Sequence, residues 1–334
     1  MDVLCVGHAA WDISVFVEGY PAENSKREIH TMIECGGGPA ANAAFLLSQW
    51  GVTCAFAGVV GADAYGERIA QEFSVAGTDI ALLRRNPDDI TPVSVILVNE
   101  QNGSRTIINR KAPRAEAPLQ LSLSGGSRPP GAMIVEKPSN RARRSRSTSA
   151  QPRVLLFDGH EPEASLEAMT LFPKAKTILD AGSLRDGTRE LAKRVDFLVA
   201  SERFARELSG LPNLESAENQ AAAIAALHRH NARWIATSGR DPNPVVITCG
   251  ERGLLHGTHG RVERLPAFSV KVCDTTAAGD IFHGAFAYGI LKGLPWLETL
   301  RLAAATAALS VTARGGRTSI PTLAQVEEML SHAG

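Results

Sequence analysis

The sequence lacks an excess of either charge: 35 Lys and Arg balance 35 Asp and Glu. That balance gives no support to a general role on nucleic acid or a membrane surface. No apolar run is long enough to span a bilayer. Paired cysteines are missing too. Cys5, Cys35, Cys54, Cys249 and Cys273 are scattered, odd in number and without CxxC spacing. They read as reduced, mostly buried thiols, with no part in metal binding or catalysis. No Gly-x-x-x-x-Gly-Lys-Ser/Thr occurs, which excludes a Walker P-loop, and the protein-kinase motifs are absent. No basic region precedes the strand-like run Asp2–Gly7. A secretory signal is therefore not expected, and the expected location is cytoplasmic.

What is present is an α/β rhythm over 334 residues, 44% of them hydrophobic. Short apolar runs at 3–6, 54–60, 154–157, 177–179, 197–199 and 245–248 read as buried strands. Longer Ala-rich stretches at 38–50, 65–76, 162–171, 216–230, 279–292 and 296–313 read as helices. This alternation predicts a mostly parallel central sheet with helices on both faces. Thr322-x-x-Gln325 looks like a capping box opening a final helix.

Two regions break the rhythm. Strands at 13–18 and 29–35, with a hairpin of 93–99 and 105–109 around Asn102-Gly103, predict a small separate sheet, a lid formed by about 12–35 and 91–112. Residues 122–153, rich in Ser, Pro, Gly and Arg, read as a flexible basic insertion in a chain otherwise taken as one domain. Ser238–Pro244 looks like a second, shorter insertion.

The chemistry concentrates in two segments. Asp274-Thr-Thr-Ala-Ala-Gly-Asp280 places small residues between two acids where an apolar helix begins. The amides of Ala277, Ala278 and Gly279 can approach an anion, aided by the helix dipole. Asp280 beside them can take a proton from an attacking hydroxyl, which suits phosphoryl transfer to an alcohol. The second segment is Gly36-Gly-Gly-Pro-Ala-Ala-Asn-Ala-Ala44. Its glycines allow close backbone approach, and Asn42 offers the donor and acceptor that a polyol needs. Gly36-x-Gly38-x-x-Ala41 followed by Asp63 also fits a dinucleotide fingerprint, but it lies after a lid strand rather than in the first strand–helix unit. Asp12, after the first strand, is placed to accept sugar hydroxyls. Thr248, Gly250 and Gly253 follow another strand and can contact nucleotide phosphates.

Together these residues resemble the PfkB/ribokinase family of sugar kinases over nearly the whole chain. The resemblance implies a ribokinase-like three-layer α/β sandwich with a β lid, dimerising through that lid. It implies Asp280 as base and Ala277–Gly279 as anion hole. Asp12, Lys26, Gly37, Gly38, Asn42 and Asn109 would bind the sugar. Ser201, Thr248, Gly250, Gly253, Ala307 and Val311 would bind ATP. Potassium would take oxygens of Asp274, Thr276, Ser310, Ala313, Gly315 and Ser319. Residues 311–321 are similar to the family's closing loop. ATP and Mg2+ are expected cofactors, but one motif departs. Where the family often has Asn-x-x-Glu, this chain has Ser201-Glu-Arg-Phe204, leaving Glu202 or Glu207 as candidate anchors for magnesium.

The expected substrate is a neutral or weakly acidic keto- or aldo-sugar, phosphorylated on a primary hydroxyl. A sulfosugar kinase is a second reading, because Gly-Gly-Gly-Pro-Ala-Ala and Arg-Gly-Gly-Arg are similar to sulfofructose kinases. Asp158-Gly-His160 stands where those kinases have an added Arg. An adenosine-type nucleoside kinase is a third reading, and a non-catalytic sugar or nucleotide sensor a fourth.

Overall fold

A computed structural model of the chain describes residues 1–110, 118–121, 151–231, 244–258 and 261–332. The expected basic insertion lies outside these residues from 122 to 150, as do lid positions 111–112 and most of Ser238–Pro244.

Thirteen strands form two sheets among the described residues. The large sheet runs β13-β12-β11-β10-β9-β8-β1-β4-β5. Its central strands are β1 (Val3–Val6), β4 (Cys54–Gly61), β8 (Val154–Phe157), β9 (Lys176–Ala181), β10 (Phe197–Ser201) and β11 (Val245–Thr248), with β5 (Asp79–Asn86) at one edge. All of these pair in parallel. Strands covered on both faces need apolar residues throughout, which is why they read as unbroken hydrophobic runs. Alternation then splits the core. Val3 and Cys5 join one cluster and Leu4 and Val6 the other, because successive side chains point to opposite faces.

The first cluster is covered by α1 (Pro39–Gln49), α2 (Ala64–Ala76), α7 (Ala278–Lys292) and α8 (Trp296–Ser310). The second is covered by α3 (Pro162–Leu171), α4 (Asp186–Ala192), α5 (Glu202–Ser209) and α6 (Ala217–His230). Three layers result. The closing helix α9 (Leu323–His332) begins at the expected box: the Gln325 amide donates to Thr322 Oγ1 at 3.3 Å, and Thr322 N donates to Gln325 Oε1 at 2.8 Å.

The small sheet runs β3-β2-β6-β7. It contains β2 (Ala10–Val17), β3 (Met32–Gly37), β6 (Val93–Asn99) and β7 (Arg105–Arg110), the predicted lid strands. Several details differ from expectation. β3 starts at Met32, three residues later than expected, and the helix expected through Ala313 ends at Ser310. β5, α4 and α5 were not anticipated, nor was the antiparallel edge of β12 (Leu254–Thr258) and β13 (Arg261–Leu265). A tight turn at Gly250–Gly253 forces that reversal, since a parallel partner would need a long crossover.

Candidate active site

The two motif segments, more than two hundred residues apart, meet at the carboxyl ends of the central strands. Gly38 holds φ 101°, a left-handed value that favours glycine, and a Cβ there would collide with the His8 carbonyl. This turn starts α1 directly from the lid strand β3. Gly37 lies so close to the Asp12 carboxylate that a Cβ would overlap it. Asn42, on the first turn of α1, is 1% exposed.

Opposite it, α7 begins after Ala277, a non-glycine residue at φ 60°. The turn aims the first helical amides away from the preceding chain. The amides of Gly279 and Asp280 find no acceptor among the described residues, whereas Ala278 N points to Thr275 O at 3.4 Å. A helix start normally leaves such donors unpaired, and they suit an anion. A Cβ on Gly279 would meet no protein atom within 4 Å, so the space before these amides is open for a ligand.

Asp280 and Asn42 are in direct contact: Asn42 Nδ2 donates to Asp280 Oδ2 at 2.7 Å. Burial, followed by the nearby Asp180 charge, pushes Asp280 up to about 7, while the Asn42 bond, His283 and Arg105 pull the other way. Beneath it, burial and then Asp158 push Asp180 up to about 8. Asp180 Oδ2 lies 3.1 Å from His283 Nδ1, and His283 Nε2 faces Val199 O at 3.2 Å. Burial holds that imidazole toward its neutral form.

The lid contributes a row of polar residues. Asp12 pairs with Ser94 across β2–β6, and Ser94 pairs with Asn109 across β6–β7. Directly opposed residues share a face, so all three lie on one side of the lid. Burial raises Asp12, opposed by its hydrogen bond to Ser94 and then by Arg317. Ser94 escaped the sequence reading because a lone serine in an apolar strand looks like filler. Lys26 is exposed on the β2–β3 connection, and among the described residues no hydrogen bond joins it to this row.

At Asp158-Gly-His160 the buried Asp158 accepts from the amides of His8, Ala40 and His160. His160 and those amides hold its carboxyl below the usual range although burial opposes this. His160 stacks on His8 and also meets Arg185.

On the expected nucleotide side, Ser201 caps α5, accepting from Phe204 N at 3.0 Å and donating to Gly182 O at 2.7 Å. Phe204 is fully buried, so position 204 anchors no metal. Glu202 pairs with Arg252, and Glu207 accepts from Arg203 and Leu184 N. Gly250 and Gly253 both hold positive φ around a short turn after Thr248. Ala307 and Val311 are half-buried at the end of α8.

Of the expected potassium residues, Asp274, Thr276 and Gly315 are joined by hydrogen bonds. Asp274, 1% exposed, accepts from Thr276 N at 2.8 Å and Thr276 Oγ1 at 2.7 Å on one oxygen and from Gly315 N at 2.9 Å on the other. It therefore ties the loop before α7 to the segment after α8, which carries Ala313. Ser310 and Ser319 are buried beside them. No helix among the described residues is long and apolar enough to cross a membrane.

A family model described as pfkB family carbohydrate kinase matches residues 1–323. A ribokinase of Haemophilus influenzae is 28% identical over 300 residues, covering 89% of this chain and 88% of that protein. A deoxyribokinase of Salmonella typhimurium is 25% identical and covers 99% of each chain. The Arabidopsis thaliana ribokinase solved with ribose and ATP superimposes with a TM-score of 0.73 at 23% identity, covering 98% of both chains. At that identity the likeness speaks for the fold.

Proposed function

This chain belongs to the pfkB family of carbohydrate kinases, and we propose that it moves the γ-phosphoryl group of ATP to a primary hydroxyl of a small sugar, with Asp280 as the general base. The observation that carries this reading is the 2.7 Å contact between Asn42 and Asp280. It joins a polyol-type recognition segment to a carboxylate at an open helix start.

In this reading the sugar lies between the Asp12–Ser94–Asn109 row and the Gly37-Gly38-Asn42 turn, with Lys26 closing from the lid edge. Its attacking hydroxyl takes the place beside Asp280. A carboxylate poised near neutrality both accepts the proton and holds it as the new bond forms. The unpaired amides of Gly279 and Asp280 stabilise charge on the transferring group, supported by Ala277 and Ala278. Thr248, Gly250 and Gly253 hold the nucleotide phosphates, and Ala307 and Val311 line the base. Magnesium would supply charge neutralisation on those phosphates, with Glu202 or Glu207 as candidate carboxylates to anchor it. Potassium would be held by Asp274, Thr276, Ser310, Ala313, Gly315 and Ser319. The exposed lid residues Met32 at 53% and Ile108 at 59%, on the face opposite the Asp12–Ser94–Asn109 row, support association of two copies through the lid.

The test is ADP release with Mg2+ and K+ against neutral sugars, acidic sugars, sulfosugars and nucleosides. Turnover is expected with a neutral or weakly acidic sugar. Turnover with adenosine alone would reassign the chain as a nucleoside kinase, and with sulfosugars alone as a sulfosugar kinase. Ligand binding without ADP release across the panel would identify a sensor. Asp280→Asn should lower kcat by about a thousandfold or more, with ATP binding retained in calorimetry.

A further inference from the structure

Behind Asn42 lies a charged pair that the proposed reaction does not use. Arg317, from the segment between α8 and α9, is 4% exposed. Its guanidinium lies 4.7 Å from the Phe73 ring centre and 5.0 Å from that of Phe45. Nε donates to Asn42 Oδ1 at 3.1 Å, and Nη1 to Glu72 Oε2 at 2.7 Å. Glu72 Oε2 also accepts the Gly36 amide at 2.9 Å. A Cβ at Gly36 would run into Nη1, so the glycine is needed for the guanidinium to sit there. Rings and hydrogen bonds together leave this group little freedom to turn.

The consequence falls on Asn42. A side-chain amide can present either its oxygen or its NH2 to a neighbour. With Oδ1 engaged by Arg317, only Nδ2 is left for Asp280. The opposite orientation would set oxygen against oxygen. It would favour a protonated Asp280, which could then donate to Oδ1, and such a group no longer accepts a proton from the sugar.

The geometry points to Arg317 as a positioning residue: held by Glu72, it fixes the Asn42 amide so that a donor, and not an acceptor, faces the Asp280 carboxylate. This rests on the proposed role of Asp280 as base. The other groups that face Asp280 are Asp180 from β9, His283 from α7 and Arg105 from β7. They are unchanged by substitution at 317. Asp12 also feels the Arg317 charge.

Arg317→Lys is the informative variant, since it keeps the charge and most of the volume but loses the rigid fork. Expected are a kcat lower by about tenfold, an acid limb of the kcat profile moved up by about half a pH unit, and wild-type ATP affinity in calorimetry. A folded Arg317→Lys enzyme with wild-type kcat and an unmoved limb would overturn the assignment, because a purely structural or electrostatic role predicts that result. Should Arg317→Lys fail to fold, Glu72→Gln carries the same test: it loosens the guanidinium while keeping an acceptor for Gly36 N. A carbon-13 titration of the Asp280 carboxyl, identified with Asp280→Asn, reads the coupling without turnover. An upward shift in either variant supports the inference and no shift in both refutes it, even if no sugar proves to be a substrate.

Discussion

Gly284 packs directly on Ala43: a Cβ built on the glycine would lie 3.1 Å from Ala43 Cα. Gly284 sits about one turn beyond Asp280 on α7, and Ala43 directly follows Asn42 on α1. Small side chains at this crossing let α1 and α7 approach until amide and carboxylate touch. Gly284→Val should push the helices apart and destabilise the fold by about 1–3 kcal/mol, the usual cost of overpacking. Activity should fall further than stability explains. Denaturant unfolding alongside kcat in the folded fraction checks this; a stable variant with full activity would show that the crossing does not set the distance.

Gly279→Ala separates folding from function. The position has open space around it, and alanine favours a helix over glycine. The variant should therefore be at least as stable as wild type. The methyl would occupy the space in front of the orphan amides, so kcat/KM should drop by about a hundredfold. Thermal melts and ADP release together test it, and an active variant would remove the anion hole from this place.

The pH dependence follows from the upward shift of Asp280 to about 7. On the proposed role of Asp280 as base it must be ionised to work, so kcat/KM should fall as pH drops below about 7, an acid limb well above the ordinary carboxylate value of 3.8. A flat profile down to pH 5 would mean that another group takes the proton.

The same shift has a sign for stability. A buried acid whose folded pKa is raised leaves the protein most stable below the unfolded value, and that stability is lost as pH rises through about 7. Asp280→Asn should melt with wild type near pH 4 and above it at pH 8, with a gap on the order of a few kcal/mol. Equal melting temperatures at pH 8 would contradict the burial cost.

The lid face offers a further measurement. Ile108 is 59% exposed on β7 and opposes Val95, 37% exposed, on β6. Ile108→Glu should turn a dimer into a monomer in sedimentation at micromolar concentration without unfolding it. A wild type that sediments as a monomer would place no partner on this sheet.

Much of this was legible from residue order. Unbroken apolar runs marked the central parallel strands, because burial on both faces leaves little room for polar residues; the half-exposed edge strand β5 gave no such run. Gly38-Pro39 and Gly279-Asp280 announced two helix starts, whose first amides are left for side chains or a ligand. The rest depended on contacts no local pattern carries. Glu72 lies among the polar residues of an amphipathic helix, where a carboxylate looks solvated, and its partner Arg317 is 245 positions away. Ser94 and Asn109 join Asp12 only through cross-strand register. β12 and β13 form an antiparallel edge, and β13 has a partly polar, half-exposed face, so it lacks the apolar run that betrayed the centre. At Phe204 residue order already marked the departure from the family's Asn-x-x-Glu, and the side chain is buried in the core.

The tip of the lid hairpin is fastened to the loop that precedes α7. Gly103 O accepts from Thr275 N at 3.2 Å and from Thr275 Oγ1 at 3.0 Å, and Arg105 Nη1 donates to the same hydroxyl at 2.7 Å. A latch at this point links the lid mechanically to the start of α7. Any outward swing of the hairpin therefore tugs on the turn at Thr275 that leads into α7, so lid and helix start move as one piece.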